Sequence, residues 1–144
     1  MTYDPSTPTT PELLRFTATT VDGTPFDAAT LVGKPAVLWF WAAWCPKCRA
    51  AADEVVAVAH DYAGKVNVIG VAGLGSGNAG MQKFIADMGL IELTHVADDL
   101  GMVRTRFGMT PQVDFVLLDA EGVLVHKSAF VPAEFRALVA ALAN

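Results

Sequence analysis

Trp39-Phe40-Trp41-Ala42-Ala43-Trp44-Cys45-Pro46-Lys47-Cys48 is the stretch on which the reading of this chain turns. The unbroken apolar run from Ala36 to Ala42 has the composition of a strand covered on both faces. It ends on a Cys-x-x-Cys pair. From Arg49 to Tyr62 the pattern is helical, with Ala51, Val55, Val58, Ala59 and Tyr62 on one face and Asp53, Glu54 and Asp61 opposite. Both cysteines of the protein sit at this strand-to-helix turn, so whatever their sulfurs do is done here. A cysteine at a helix start faces unpaired backbone N–H groups and the positive end of the helix dipole, which stabilises its thiolate. Cys45 is therefore the expected nucleophile. Cys48, one turn further in, is placed to attack a mixed disulfide formed on Cys45. Pro46 stiffens the turn without losing a needed hydrogen bond, Lys47 and Arg49 add positive charge, and Trp44 offers a flat apolar surface to a substrate chain.

The flanking sequence fits a single α/β domain. Met1 to Glu12 has five Thr or Ser and three Pro with almost nothing apolar, and is expected to be a flexible leader to a domain over residues 13–144. Leu14 to Phe26 alternates about an Asp22-Gly23 turn, predicting a β-hairpin. Beyond the Cys pair come a second buried strand (Val66 to Ala72), a loop read as a plain connection (Gly73 to Asn78) and a helix marked by Met81, Phe84, Ile85 and Met88. A short strand (Thr94 to Ala97) and a short helix (Asp99 to Phe107, with Leu100, Val103 and Phe107 inward) follow. A hairpin of Phe115 to Leu118 and Val123 to His126 turns at Asp119-Ala120-Glu121-Gly122, and Pro132 to Leu142 closes the chain as a helix. A parallel βαβ unit finished by an antiparallel hairpin gives a mixed sheet with helices on both faces.

Composition narrows the function. In 144 residues, 53% are hydrophobic, enough for one substantial core, and the net charge is −5 with no basic stripe, so nucleic acid is not an expected partner. Ala36 to Trp44 is too short to span a bilayer, and Met1 to Glu12 lacks the pattern of a secretory signal. Two cysteines three apart do not staple a fold; they indicate redox or metal chemistry. Structural zinc needs four ligands, and His60, His95 and His126 are scattered and read as core or surface imidazoles, so no metal is expected. A thiol peroxidase would want a Thr three residues before the reactive Cys, where this chain has Ala42.

Phe40 to Cys48 resembles the active-site signature of thioredoxin-fold proteins. The lead-in Leu31-Val32-Gly33-Lys34-Pro35, the N-terminal hairpin and the Asp119 to Gly122 turn are similar to the TlpA/ResA/DsbE-like branch. Ala36 to Trp41 and Val71-Ala72-Gly73-Leu74 look most like its secreted actinobacterial DsbE/DsbF type. The resemblance implies a thioredoxin-like mixed sheet with an N-terminal hairpin extension. It also implies extracytoplasmic thiol-disulfide exchange with protein substrates and a redox partner protein, using no cofactor beyond the Cys45-Cys48 disulfide, and the chain is expected to be monomeric.

Two departures bear on the direction of electron flow. Thioredoxin has a buried carboxylate six residues before its first Cys, and Trp39 stands there instead, which makes an oxidant the first expectation. The second is the cis-proline that abuts the disulfide in this fold. Thr110-Pro111 resembles it locally, but the branch's spacing to the Asp of the Asp-x-x-Gly turn counts back from Asp119 to Val113. The spacing favours Val113, which would be trans because a cis non-proline bond costs about 2.5–4 kcal/mol. In either alignment Gln112 is in the loop beside the sulfurs. Asp114 is either a strand-edge residue facing solvent or a carboxylate near the Cys pair. The alternatives to an oxidant are a reductase in cytochrome c maturation and a metal- or cluster-binding module using the same pair.

Overall fold

The computed structural model describes residues 10–144, so most of the expected leader lies outside the described residues. Glu12, its last residue, is already part of the folded domain. It opens a 3-10 turn (Glu12–Leu14) whose carbonyls at Glu12 and Leu13 accept from the Arg106 guanidinium, and Leu14 is fully buried.

The apolar run becomes β3 (Ala36–Trp41), buried at every position. It lies between β4 (Asn67–Gly73), parallel with Trp39 opposite Gly70, and β6 (Phe115–Leu118), antiparallel with Trp39 opposite Phe115. With β5 (Thr94–Asp98) and β7 (Leu124–Ser128) outside them, the five-stranded order is β5-β4-β3-β6-β7. The N-terminal hairpin of β1 (Thr17–Thr19) and β2 (Pro25–Asp27) forms its own two-stranded sheet, joined to β5 by a Thr20–Val96 bridge and by the Val21 N–H on the His95 carbonyl.

Alternation along β3 sorts the core into two layers. Val37, Trp39 and Trp41 face α1 (Pro46–Asp61), α2 (Gly77–Asp87) and α4 (Pro132–Ala143); Ala36, Leu38 and Phe40 face Leu14, Leu31, Val103 and Phe107 on the other side. α1 and α4 are tied by Arg136, which binds Glu54 and Asp61 at 2.7 Å each.

Two expectations shift. The short helix begins later than its pattern suggests, as α3 (Met102–Arg106), so Leu100 is 90% exposed instead of inward. The cause is local. The buried Asp98 carboxylate accepts from the Val103 and Arg104 N–H groups, both at 2.9 Å, and Gly101 takes φ 73°, a left-handed conformation that places Leu100 in the turn. The last strand runs from Leu124 to Ser128 instead of from Val123 to His126, leaving Val123 exposed in the turn.

His95 is a core imidazole. Its Nδ1 accepts from Trp41 Nε1–H at 3.1 Å and its Nε2 lies 2.9 Å from the Leu90 carbonyl, an arrangement of the neutral ring with the proton on Nε2. Burial lowers its pKa below the usual histidine value. Between the unfolded and folded values the unfolded chain binds the extra proton, so this contribution is complete above about pH 6.5 and is lost as pH falls below it. We expect unfolding free energy from urea titration to decline from pH 7 to pH 5 with a slope of at most about 1.4 kcal/mol per pH unit from this group, and the slope to flatten in His95→Gln.

Candidate active site

The chain leaves β3 through Ala42-Ala43-Trp44 and enters α1 with Cys45 at the N-cap, in extended geometry (φ −89°, ψ 114°). The Cys45 sulfur accepts the Cys48 N–H at 3.3 Å, the contact by which a helix start serves an anion, and Pro46 occupies the first helical turn. Both cysteines are free thiols, each about 6% exposed, so contact from outside comes first to Trp44, which is 61% exposed, and to Pro46 and Lys47. Burial, together with the hydrogen bond to Cys45, pushes the Cys48 thiol up to about 12. Trp39 is buried in the same cluster as the two sulfurs, tilted against Trp41 with ring centroids 6.2 Å apart.

The carboxylate near the pair comes from elsewhere. Asp114, one residue before β6, does not face solvent as an edge residue would. Its Oδ1 is 2.6 Å from Lys47 Nζ and its Oδ2 accepts from the Phe130 N–H at 2.8 Å, with the side chain 12% exposed. Asp114 thereby holds the Cys-x-x-Cys turn against β6 and raises the Lys47 pKa through their hydrogen bond; its negative charge adds a smaller upward push on Cys48. Lys47 Nζ also lies 3.5 Å from the Pro111 carbonyl, bringing the Thr110–Val113 loop alongside. In that loop Thr110, Pro111 and Gln112 are exposed, Val113 is half-buried, and the Val113 N–H closes a turn on the Thr110 carbonyl at 3.0 Å. No peptide bond among the described residues is cis, so those before Pro111 and Val113 are both trans.

Sequence reasoning missed the loop after β4, which grips the turn from the other side. Trp44 Nε1–H donates to the Leu74 carbonyl at 2.8 Å, and the Ala43 N–H donates to Ser76 Oγ at 2.9 Å. Ser76 Oγ–H donates to the Gly73 carbonyl at 2.6 Å, while the Ser76 and Gly77 N–H groups are held by the Asp99 carboxylate at 3.1 and 2.8 Å. The sequence signal was faint: a Ser in a glycine-rich loop and an Asp at the end of the next strand. Among the described residues there is no group of three or more His, Cys, Asp or Glu positioned to hold a metal ion, and no helix is long and apolar enough to cross a membrane.

A central strand delivering a Cys-x-x-Cys pair to the N-terminus of the following helix, inside a five-stranded mixed sheet, is a thioredoxin-like fold with a dithiol site, and the chain belongs to the AhpC/TSA family, which matches residues 11–127. Within it the chain is similar to the soluble secreted antigen MPT53 of Mycobacterium tuberculosis, 42% identical over 111 residues, a match spanning 77% of this chain and 62% of that protein. Among solved structures it resembles DsbF of the same organism in mixed oxidized and reduced forms (TM-score 0.86, 38% identity, 93% of this chain and 99% of that one). A secreted M. tuberculosis disulfide oxidoreductase homologous to E. coli DsbE is also similar (TM-score 0.80, 38% identity, 91% and 98%). These are the DsbE/DsbF-like relatives that the sequence resemblance pointed to.

Proposed function

We propose that this protein is a thiol-disulfide oxidoreductase that oxidises thiols of client proteins outside the cytoplasm, through a Cys45-Cys48 disulfide and without a further cofactor, working as a monomer recharged by a redox partner protein. The observation that carries the reading is the asymmetry of the pair: the Cys45 sulfur sits on the Cys48 N–H at the helix start, while Cys48 is a buried thiol pushed up to about 12. A client thiolate attacks Cys45 Sγ of the disulfide; the S–S bond breaks, Cys48 leaves with the electron pair and takes up a proton. A second client thiolate then attacks the client sulfur of the mixed disulfide, a client disulfide forms, and Cys45 leaves as a thiolate at the helix N-terminus. Burial holds Cys48 mainly as the thiol, so its resolving attack is slowed and the client's second thiol competes with it. Extracytoplasmic action is supported by the relatives described as secreted and by the persistence of disulfides outside the reducing cytosol.

The reductase reading, in cytochrome c maturation, draws on Asp114, a carboxylate beside the pair that could take the Cys48 proton before it attacks. A glutathione redox titration, with metal analysis of the same sample, separates the readings. An oxidant lies well above thioredoxin's potential of about −270 mV, and a value near it would overturn the proposal. Tight stoichiometric metal without disulfide exchange would leave the metal-binding module instead. Asp114→Asn, which frees Lys47 to serve the Cys45 thiolate, is expected to raise the potential by roughly 10–20 mV, the scale of one partly exposed ion pair, with client oxidation retained. A slowed release of mixed disulfide in that variant would favour the reductase.

A further inference from the structure

We infer that the Leu74 side chain is a specificity-determining contact that, with Trp44, receives apolar residues flanking the reacting cysteine of a client polypeptide. This rests on the disulfide-exchange reading of the site and names the substrate class within it. Leu74 is the single non-glycine residue with positive φ among the described residues, at 58°. A leucine in that conformation is strained, because its Cβ crowds the backbone carbonyl, and glycine would sit there freely. The loop has glycine at hand: Gly73, Gly75 and Gly77 surround the position, the last two with φ of 78° and 69°.

Neither packing nor local hydrogen bonding explains the side chain. Leu74 is 46% exposed and belongs to neither core cluster. What the position gives the turn is its carbonyl, which holds the Trp44 indole and which any residue would supply. An apolar side chain kept outside the core at a conformational cost is therefore directed at something outside the molecule.

Its neighbours say what that is. Trp44, 61% exposed, directly precedes the nucleophile, and its indole N–H is fixed on the Leu74 carbonyl, so Leu74 adjoins the exposed indole on one side of the Cys45 turn, one lip of the site. A chain joined to Cys45 through a mixed disulfide must lie along this lip or along the Thr110–Val113 loop opposite. At the other end of the loop the Asp99 carboxylate anchors Ser76 and Gly77, and Leu100 and Met102 stand next to it, 90% and 70% exposed, at a cleft of about 420 Å³. Exposed apolar side chains thus stand at both ends of the loop that Trp44 and Asp99 anchor, which suits an extended client segment with apolar side chains near its cysteine.

The test is Leu74→Gly, which removes the side chain, relieves the backbone and keeps the carbonyl that holds Trp44. Oxidation is followed with three dithiol substrates: a peptide with Leu and Phe beside its cysteines, the same peptide with Ser at those places, and dithiothreitol. The expected result is a fall of about tenfold in kcat/KM for the apolar peptide alone, the scale of losing one partly buried leucine contact, with a thermal midpoint no lower than that of the parent and restoration by Leu74→Met. Equal losses on all three substrates, or no loss on any, would overturn the inference. Failure of the parent protein itself to oxidise dithiothreitol would instead overturn the exchange reading on which it rests.

Discussion

Cys48→Ser is expected to trap a covalent adduct of one client per chain, joined through Cys45, while Cys45→Ser neither forms the adduct nor turns over. Mass spectrometry of the variant mixed with a peptide disulfide checks the first, and a continuous oxidation assay the second. The size of the effect follows from the asymmetry of the pair. Nucleophilic attack requires a thiolate, and Cys48, pushed up to about 12 by burial, has almost none at neutral pH. Cys45 holds its sulfur against the N–H of the first helical turn, an interaction that Cys48→Ser keeps because the donor is backbone. Loss of Cys45 should therefore abolish client oxidation, because it removes both the nucleophile and the disulfide that accepts the electrons, and leaves only a buried, protonated thiol. Trapping through Cys48 in the Cys45→Ser variant would reverse the two roles.

The second large effect concerns folding. Gly70 lies between Trp39 and His95 in neighbouring strands, and a Cβ added there would meet His95 Nδ1 at 2.1 Å and Trp41 Nε1 at 2.8 Å. Both are buried atoms bonded to each other, so neither can withdraw without leaving a donor or acceptor unpaired. Overpacking costs about 1–3 kcal/mol and an orphaned buried polar group about as much again, so Gly70→Ala should lose roughly 2–5 kcal/mol, a large share of the 5–15 kcal/mol typical of a domain. The measurement is the urea midpoint with unchanged slope, alongside the calorimetric midpoint, which should fall by roughly 10 °C. A Gly70→Ala/His95→Ala pair makes room for the methyl and should lose less than the sum of the two single changes; strict additivity would mean the clash is relieved in some other way.

Sequence disclosed what is local and periodic. The apolar run of β3, the Cys pair that ends it and the helical face of Ala51, Val55 and Val58 are each set by near neighbours, and together they made the fold and the two sulfurs legible. What stayed hidden is decided by partners distant in sequence. Asp114 stays open between an edge residue and a carboxylate near the sulfurs until Lys47 comes within 2.6 Å of it, and Ser76 reads as linker until its hydroxyl meets the Ala43 N–H. His95 reads as any histidine until Gly70 on the adjacent strand leaves the gap through which it reaches Trp41. Leu100 failed differently: apolarity placed it inward, but Asp98 and Gly101 delayed the helix by a turn.

The join between the N-terminal hairpin and β5 gives that extension a purpose. A five-stranded open sheet has two edges, each a row of unsatisfied backbone donors and acceptors on which another chain could add a strand. Thr20 and Val21 occupy part of the β5 edge through the Val96 bridge and the His95 carbonyl, so the hairpin shields one side of the sheet from intermolecular pairing. The remaining edge belongs to β7, a five-residue strand bearing His126 and Lys127, short and charged in the way natural proteins blunt an open edge. Extended segments of other chains, the client polypeptides of the proposed exchange among them, therefore find little open edge to pair with.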